Sequence, residues 1–137
     1  MYLLDTNIIS ELRKPKPHGA VLAWFVTNPL STTRISAVSF YELQTGAERT
    51  RQQDPPKAEE LDRWIREVEQ SVIVVPLGII EARMTAHLMK NLSQDLLTDA
   101  MIAATAIANG LTVATRNTRD FERFSVTLVN PFLFPRS

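Results

Sequence analysis

The chain opens with MYLLDTNIISEL, residues 1–12, and this stretch decides the fold. Its apolar residues 2–4 are typical of a short buried strand, and the spacing of the apolar residues within 8–12 predicts a helix. Asp5 stands between the two, at the carboxyl end of the strand. A strand that passes directly into a helix begins a β–α unit, so the stretch indicates an α/β fold.

The remainder of the chain repeats this alternation of strands and helices. Further strands are predicted in TTRIS, VIVVPL, LTVAT and VTLV, and the β-branched run VIVVPL is typical of a central strand covered on both faces. Helices are predicted at residues 79–92 and 98–109, the second stopped by Gly110. The alternation predicts a mostly parallel sheet with helices on both faces.

Length and composition are those of one globular domain, which we expect to span residues 1–137. Hydrophobic residues make up 45% of the chain and charged residues 22%, and no apolar segment is long enough to span a bilayer. The first residues enter a strand pattern directly and lack the basic region and cleavage site of a secretory signal. A cytoplasmic location is therefore expected.

Cysteine content and charge exclude several kinds of site. The chain has no cysteine, which excludes disulfides, thiolate zinc sites and a cysteine nucleophile. Fifteen Lys and Arg residues balance fifteen Asp and Glu residues. A neutral chain does not hold nucleic acid through bulk charge, so any such binding requires a local positive patch.

Asp5 occupies the place where parallel α/β sheets form their sites, because ligands bind outside the carboxyl ends of the strands. Its simplest role is to accept amide hydrogen bonds at the start of the next helix. Thr6 and Asn7 are themselves good helix caps, however, so an acid is not needed for that purpose. Both interpretations stay open at this point.

Two further acids belong to helices. Glu42 lies in SFYELQTG, where most glutamates are solvated surface residues. Asp99 opens the helix of TDAMIAATAIA, whose alanines predict close packing against the sheet. Asp99 either stabilises the positive end of this helix or, as a charge at the interior edge, requires a cation.

Asn117 and Asp120 follow the last central strand in ATRNTRDFERF, a loop that polar turn formers alone would explain. Clustered carboxylates without cysteine or a histidine cluster select hard cations, Mg²⁺ or Mn²⁺. His18 and His87 fit no ligand pattern. If the acids converge, the predicted reaction is hydrolysis of a phosphodiester, because a carboxylate-held Mg²⁺ activates water and neutralises a phosphate oxygen.

Four segments resemble the PIN-domain ribonucleases, and more closely the toxins of the VapBC and FitAB type toxin–antitoxin pairs. They are LLDTNIISEL, SAVSFYELQTGAER, LTDAMIAATAIANGLTVATRNTRDFE and VNPF, in the family's order and spacing. The resemblance implies a PIN-like three-layer α/β/α sandwich with a mostly parallel central sheet. It also implies an endoribonuclease that depends on Mg²⁺, with Mn²⁺ as the alternative metal.

The same resemblance assigns the site residues. The family's three acids, expected to be catalytic metal ligands, fall on Asp5, Glu42 and Asp99. Its fourth acidic position falls on Asn117, where an amide replaces a carboxylate. Neighbouring residues expected around the metal or at the fourth position are Asn7, Thr115 and Asp120.

RNA is polyanionic, so the resemblance requires a positive surface beside the acids. The candidates, each of which is equally explained as a solvated residue, are Arg13, Lys14, Lys16, Arg49, Arg51, Arg116 and Arg119. The resemblance further implies a homodimer and a small cognate antitoxin that occupies the active site, hence a toxin–antitoxin hetero-oligomer. No membrane partner is expected.

Two other functions remain open from the sequence. A catalytically idle PIN-like module that only holds its antitoxin is favoured by the amide at Asn117. A phosphatase with an aspartate nucleophile would use Asp5, but such enzymes carry a second acid two residues later, where this chain has Asn7.

Overall fold

Five short strands form one parallel sheet at the centre of the molecule. The computed structural model describes residues 1–135. The strands are β1 (Tyr2–Leu4), β2 (Thr33–Ser36), β3 (Ile73–Val75), β4 (Thr112–Ala114) and β5 (Leu128–Val129). They lie in the order β3-β2-β1-β4-β5, and every neighbouring pair is parallel. The predicted mostly parallel sheet is confirmed.

Seven helices within the described residues connect these strands. They are α1 (Thr6–Arg13), α2 (Gly19–Thr27), α3 (Ala37–Arg51), α4 (Pro55–Ser71), α5 (Ile79–Leu88), α6 (Leu97–Ala108) and α7 (Thr118–Glu122). Short 3₁₀ turns lie at Leu30–Thr32, Gln94–Leu96 and Pro131–Leu133. Across residues 1–135, none of the helices has the length and apolarity that a membrane crossing requires.

The two faces of the sheet are packed by different helices, because successive residues of a strand point to opposite faces. Leu3 of β1 packs into a cluster that includes the buried residues of α6 and Phe121 of α7. Leu4 packs on the other face, with Ile8 of α1 and Trp24 of α2. All of these side chains are almost fully buried. This arrangement is the predicted three-layer α/β/α sandwich.

Two local predictions are wrong. The strand in VIVVPL is an edge strand, and Ile73 is 58% exposed. Its β-branched run therefore reflects strand propensity and not burial on both faces. The helix predicted at residues 79–92 ends at Leu88, and Asn91 beyond it adopts a positive φ of 64°, which asparagine tolerates better than most residues.

The strand order places a crevice at the carboxyl end of β1. From β1 the chain moves outward to β2 and β3 on one side and later returns to β4 and β5 on the other. The neighbours of β1 are thus reached by connections in opposite directions, and such a switch point is where parallel α/β sheets bind ligands. Asp5 follows β1 and Thr115 follows β4, so both stand at this point.

Candidate active site

A cleft of about 450 Å³ opens at the carboxyl ends of β1 and β4. Its walls come from α1, from the second turn of α3, from the first turn of α6, and from the segments that follow β4 and β5. The residues predicted to be functional that line it are Asp5, Asn7, Lys14, Glu42, Asp99, Arg116 and Asn117. The three acids, far apart in sequence, are therefore brought together.

Asp5 is held in place by three donors. Its Oδ1 accepts a hydrogen bond from the Thr6 amide at 2.8 Å, and its Oδ2 accepts from the Thr115 hydroxyl at 2.7 Å and from Asn7 Nδ2 at 3.1 Å. Burial raises the pKa of Asp5, the three hydrogen bonds oppose this rise, and the charge of Glu42 adds to it. The net effect is a raised pKa, so the anionic form of this buried acid requires further positive charge.

Asp5 also caps α1, which is the simplest of the roles that the sequence leaves open for it, and the possible caps Thr6 and Asn7 do not. The backbone of Asp5 is extended, and its carbonyl oxygen accepts from the Ile8 amide at 3.0 Å, as a residue just before a helix does. The two alternative cap residues are used elsewhere, because the Thr6 hydroxyl and the Asn7 amide group bond to side chains of the cleft. Capping and site roles therefore coincide at Asp5.

Glu42 reaches the cleft from the second turn of α3 and is half-buried. The Thr6 hydroxyl donates to Glu42 Oε1 at 2.6 Å and lies 3.0 Å from the hydroxyl of Ser39, one turn earlier on α3. Burial raises the pKa of Glu42, the bond from Thr6 opposes this, and the charge of Asp99 adds to it. Glu42 is thus not the solvated helix glutamate that its local sequence favours.

Asp99 lies in the first turn of α6 and is also half-buried. Burial raises its pKa to about 6, with further increases from the charges of Asp5 and Asp120 and a small opposing effect of Arg123. Burial and neighbouring charges, and not hydrogen bonds, therefore set the pKa of Asp99. Its carboxylate is the least supported of the three and has the most to gain from a cation.

Without metal, the protein is expected to lose stability as the pH rises from about 4 to about 6. The pKa of Asp99 is about 6 in the folded chain against an ordinary value of 3.8, so the folded state holds an additional proton in this interval. The stabilising contribution of Asp99 to the free energy of unfolding is fully present below about pH 4 and lost above about pH 6. Because Asp99 is half-exposed, its size is on the order of 1 kcal/mol.

Thermal unfolding of the wild type and of Asp99→Asn, measured in a chelator across this pH interval, checks the prediction. The variant has no carboxyl group to titrate at this position, so its stability should fall less between pH 4 and pH 6. If the stability of the two proteins falls equally between pH 4 and pH 6, the folded-state pKa of Asp99 is not raised.

Asn7 and Thr115 connect Asp5 to the segment after β4. Thr115 is fully buried, and besides donating to Asp5 its hydroxyl accepts from the Asn117 amide at 3.0 Å. Asn7 Oδ1 accepts from the Arg116 amide at 3.2 Å. Asn117 lines the cleft, whereas Asp120 is exposed outside it on α7 and acts on the site through its charge.

Two of the predicted positive residues stand in the cleft wall. Lys14 is paired with Glu11, at 2.9 Å from Nζ to Oε1, and Arg116 lies over the ring of Phe132, 4.6 Å from the guanidinium carbon to the ring centre. The remaining candidates, which do not line the cleft, are Arg13, Lys16, Arg49, Arg51 and Arg119.

Those outside the cleft have other neighbours. Arg13 lies over the ring of Trp64 at 5.9 Å. Arg49 is exposed on α3, two turns beyond Glu42 and hence about 10 Å farther from the strand ends. Arg51 is paired with Glu48, Glu59 and Asp62. The positive surface at the cleft is thus narrower than the sequence suggests.

Four residues that line the cleft, Thr6, Ser10, Glu11 and Phe132, are not among those that the sequence predicts to be functional. Thr6 was considered only as a helix cap, and its bond to Glu42 joins segments 36 residues apart, which local patterns do not reveal. Phe132 follows Asn130-Pro131, a pair that starts a 3₁₀ turn through an Asn130 cap. That signal in VNPF indicates a fixed backbone, but the position of the ring beside β4 depends on the tertiary fold.

The charge of the cleft fits a hard divalent cation. Each acid has its pKa raised by another member of the set, since Glu42 acts on Asp5, Asp99 on Glu42 and Asp5 on Asp99. Over residues 1–135, no three acidic or histidine side chains lie close enough together to form a ready-made ion cluster. Oxygen donors whose negative charges repel one another are the donor set that Mg²⁺ and Mn²⁺ prefer.

Comparison with known proteins gives concordant results over nearly the whole chain. The chain is 35% identical to VapC ribonuclease Y4jK of Sinorhizobium fredii (strain NBRC 101917 / NGR234), an alignment that covers 96% of this chain and 98% of that protein. It is 32% identical to toxin FitB of Neisseria gonorrhoeae (strain ATCC 700825 / FA 1090), covering 96% and 99% respectively.

Solved structures show the same fold. FitAB bound to an IR36 DNA fragment contains a chain with a TM-score of 0.82 and 28% identity, covering 99% of both chains. VapBC-1 of nontypeable Haemophilus influenzae gives a TM-score of 0.72 at 25% identity, covering 95% of this chain and 97% of that one. The family model described as PIN domain matches residues 2–126, and the chain therefore belongs to the PIN domain family.

Proposed function

We propose that the protein is a metal-dependent endoribonuclease that acts as the toxin of a toxin–antitoxin pair. The observation that carries the proposal is the convergence of Asp5, Glu42 and Asp99 on one cleft at the switch point of the sheet, each with a raised pKa. The names of its relatives, a VapC ribonuclease and the FitB toxin, support the reaction and the role.

In this proposal Asp5, Glu42 and Asp99 hold Mg²⁺, with Mn²⁺ as the alternative. When bound, the ion supplies a water of lowered pKa and neutralises a phosphate oxygen. Asp5 is oriented by Thr115 and Asn7, and Glu42 by Thr6, so two of the three carboxylates are positioned before any ligand arrives. Side chains held in this way are what metal sites require of their supporting residues.

We assign the fourth position of the metal site to Asn117 and not to Asp120, because Asn117 lines the cleft and Asp120 does not. Its amide oxygen orients water or accepts a hydrogen bond but adds no negative charge. The site therefore carries three negative charges, which suffice to neutralise one divalent cation.

The partners follow from the proposed role. The solved structures with the same fold include FitAB and VapBC complexes, several of them bound to DNA, so we assign this chain a small cognate antitoxin. A homodimer within a toxin–antitoxin hetero-oligomer, and action in the cytoplasm on RNA, belong to the same proposal. Growth arrest on expression, relieved by the neighbouring small gene, tests the role.

RNA cleavage by the purified protein is expected to require Mg²⁺ or Mn²⁺ and to stop when a chelator is added. The same ions should raise the midpoint of thermal unfolding, because a ligand that binds only the folded state stabilises it by mass action. Ca²⁺, which prefers more ligands and longer distances than Mg²⁺, serves as a comparison ion. Cleavage that persists in the chelator would exclude the metal-dependent reaction.

A further inference from the structure

Two residues of the cleft wall, Arg116 and Phe132, play no part in the carboxylate site. The Arg116 guanidinium lies over the Phe132 ring with 4.6 Å between its central carbon and the ring centre. Both line the cleft that contains the acids. Arg116 is exposed and Phe132 partly so, and the guanidinium face turned away from the ring is therefore open to a ligand.

The pair is held firmly. Asn130 contacts both members, since its Oδ1 accepts from the Phe132 amide at 2.9 Å and its Nδ2 lies 3.5 Å from the Arg116 carbonyl oxygen. The His18 ring packs against the Phe132 ring with 5.2 Å between the ring centres. Pro131, the residue before Phe132, is buried. The Asn130 side chain thus holds the backbone of both residues, and His18 packs against the Phe132 ring.

The backbone of Arg116 is connected to Asp5 through Asn7. Asn7 accepts from the Arg116 amide through Oδ1 at 3.2 Å, and through Nδ2 it donates to Asp5 Oδ2 at 3.1 Å. The Asn7 side chain therefore fixes the spacing between the Arg116 backbone and the Asp5 carboxylate. A group bound on the pair would lie in the same cleft as the acids.

The charge of the cleft decides what that group is. In the proposed function the phosphodiester is bound through the metal at the three carboxylates, and Lys14 is already paired with Glu11. A nucleobase is neutral, so the acids do not repel it, and its flat π-face matches both an aromatic ring and a guanidinium plane. A phosphate contact alone would need only a positive charge and would gain nothing from the ring beneath Arg116.

We propose that Arg116 and Phe132 form a stacking platform for one base of a single-stranded RNA, beside the phosphodiester on which the carboxylates act. This inference rests on the ribonuclease function proposed above. Bases within a duplex are stacked on their neighbours, and only unpaired nucleotides can place a base on the platform. The platform therefore takes a base from an unpaired segment of the RNA.

The test measures RNA binding without turnover. Asp99→Asn serves as the background, because Asp99 makes no contact with the platform, and Mg²⁺ is present throughout. Binding of a short single-stranded RNA is compared with binding of a set of abasic RNAs. Each abasic RNA lacks the base at one position, and the set covers successive positions along the strand. Phe132→Leu keeps an apolar side chain without a ring, Arg116→Lys keeps the charge without the plane, and Leu133→Ala is the control at an exposed neighbour outside the cleft.

One abasic position is expected to weaken binding about 10-fold, as loss of a single stacked base does. Phe132→Leu and Arg116→Lys should weaken binding of the intact RNA to a similar degree and leave binding of that abasic RNA unchanged, whereas Leu133→Ala should behave as the background. Thermal unfolding verifies that Phe132→Leu is folded. Arg116→Lys changes an exposed side chain and gives an independent measure of the loss of base stacking.

The platform is overturned if no abasic position matters, if both variants weaken intact and abasic RNA equally, or if the background binds no RNA. Cleavage by the wild type is scored separately. Absence of cleavage together with base-dependent binding would reject the ribonuclease function and keep the platform, and cleavage with base-independent binding would do the reverse.

Discussion

Asp99→Asn is expected to lower RNA cleavage by more than about 100-fold while the protein stays folded. The substitution removes a carboxylate whose pKa is set by burial and by the charges of Asp5 and Asp120 and whose proposed role is to hold the metal. Loss of a residue that merely supports a metal ligand lowers metal affinity or activity roughly 10- to 100-fold, and loss of the ligand itself should lower cleavage by more than this. Steady-state cleavage of RNA at saturating Mg²⁺ measures the effect.

Stability separates this outcome from simple unfolding. Removing one of three mutually repelling acids relieves like-charge repulsion, so the metal-free variant should unfold at the same temperature as the wild type or higher. The variant should also lose most of the stabilisation that Mn²⁺ gives the wild type. If Asp99→Asn unfolds outright, Asp99 has a structural role and the site assignment fails.

Asp95→Asn is the matched control for this experiment. Asp95 lies four residues before Asp99, in the 3₁₀ turn that leads into α6, and is exposed and outside the cleft. Its substitution removes the same charge from the same region of the chain. Cleavage and Mn²⁺ stabilisation should match the wild type, and equal losses in both variants would indicate an effect of net charge and not of the site.

The fold could be predicted from sequence because its signals are local. The strand–acid–helix pattern of residues 1–12 and the alanine-rich α6 identify β–α units, whose strands pair in parallel. What local patterns do not contain is the order of strands in the sheet. The run around Ile73 has the composition of a central strand, yet only the tertiary packing places it at the edge.

The candidate site was only partly predictable for the same reason. Asp5 is marked by its position at a strand end, and Asp99 by opening an apolar helix, but Glu42 has an ordinary helical neighbourhood and depended on the family resemblance. The role of the Thr6 hydroxyl is not predictable from its own segment, because the partner that it binds lies on another helix. For Phe132 the sequence offers only the VNPF resemblance and its turn signal, and neither places the ring beside Arg116.

Thr115→Val is expected to reduce RNA cleavage by roughly 10- to 100-fold, the usual cost of losing a residue that orients a metal ligand. Valine has nearly the shape of threonine but cannot donate to Asp5 Oδ2, which accepts from the Thr115 hydroxyl at 2.7 Å in a fully buried position. That bond lowers the pKa of Asp5, so its loss raises the pKa further and disfavours the carboxylate that binds metal. Higher Mn²⁺ concentrations should restore part of the activity.

Thr115→Ser separates the hydroxyl from the packing. Serine keeps the donor to Asp5 and loses one buried methyl group, so it should cost about 1 kcal/mol of stability and leave cleavage close to that of the wild type. The two substitutions thus predict opposite patterns, a variant of reduced activity with a filled core against an active variant with a small cavity. Because Thr115 positions Asp5 without touching the substrate, the Mn²⁺ affinity should fall in the valine variant and not in the serine variant. Equal activity of the two variants would mean that the hydroxyl does not position Asp5.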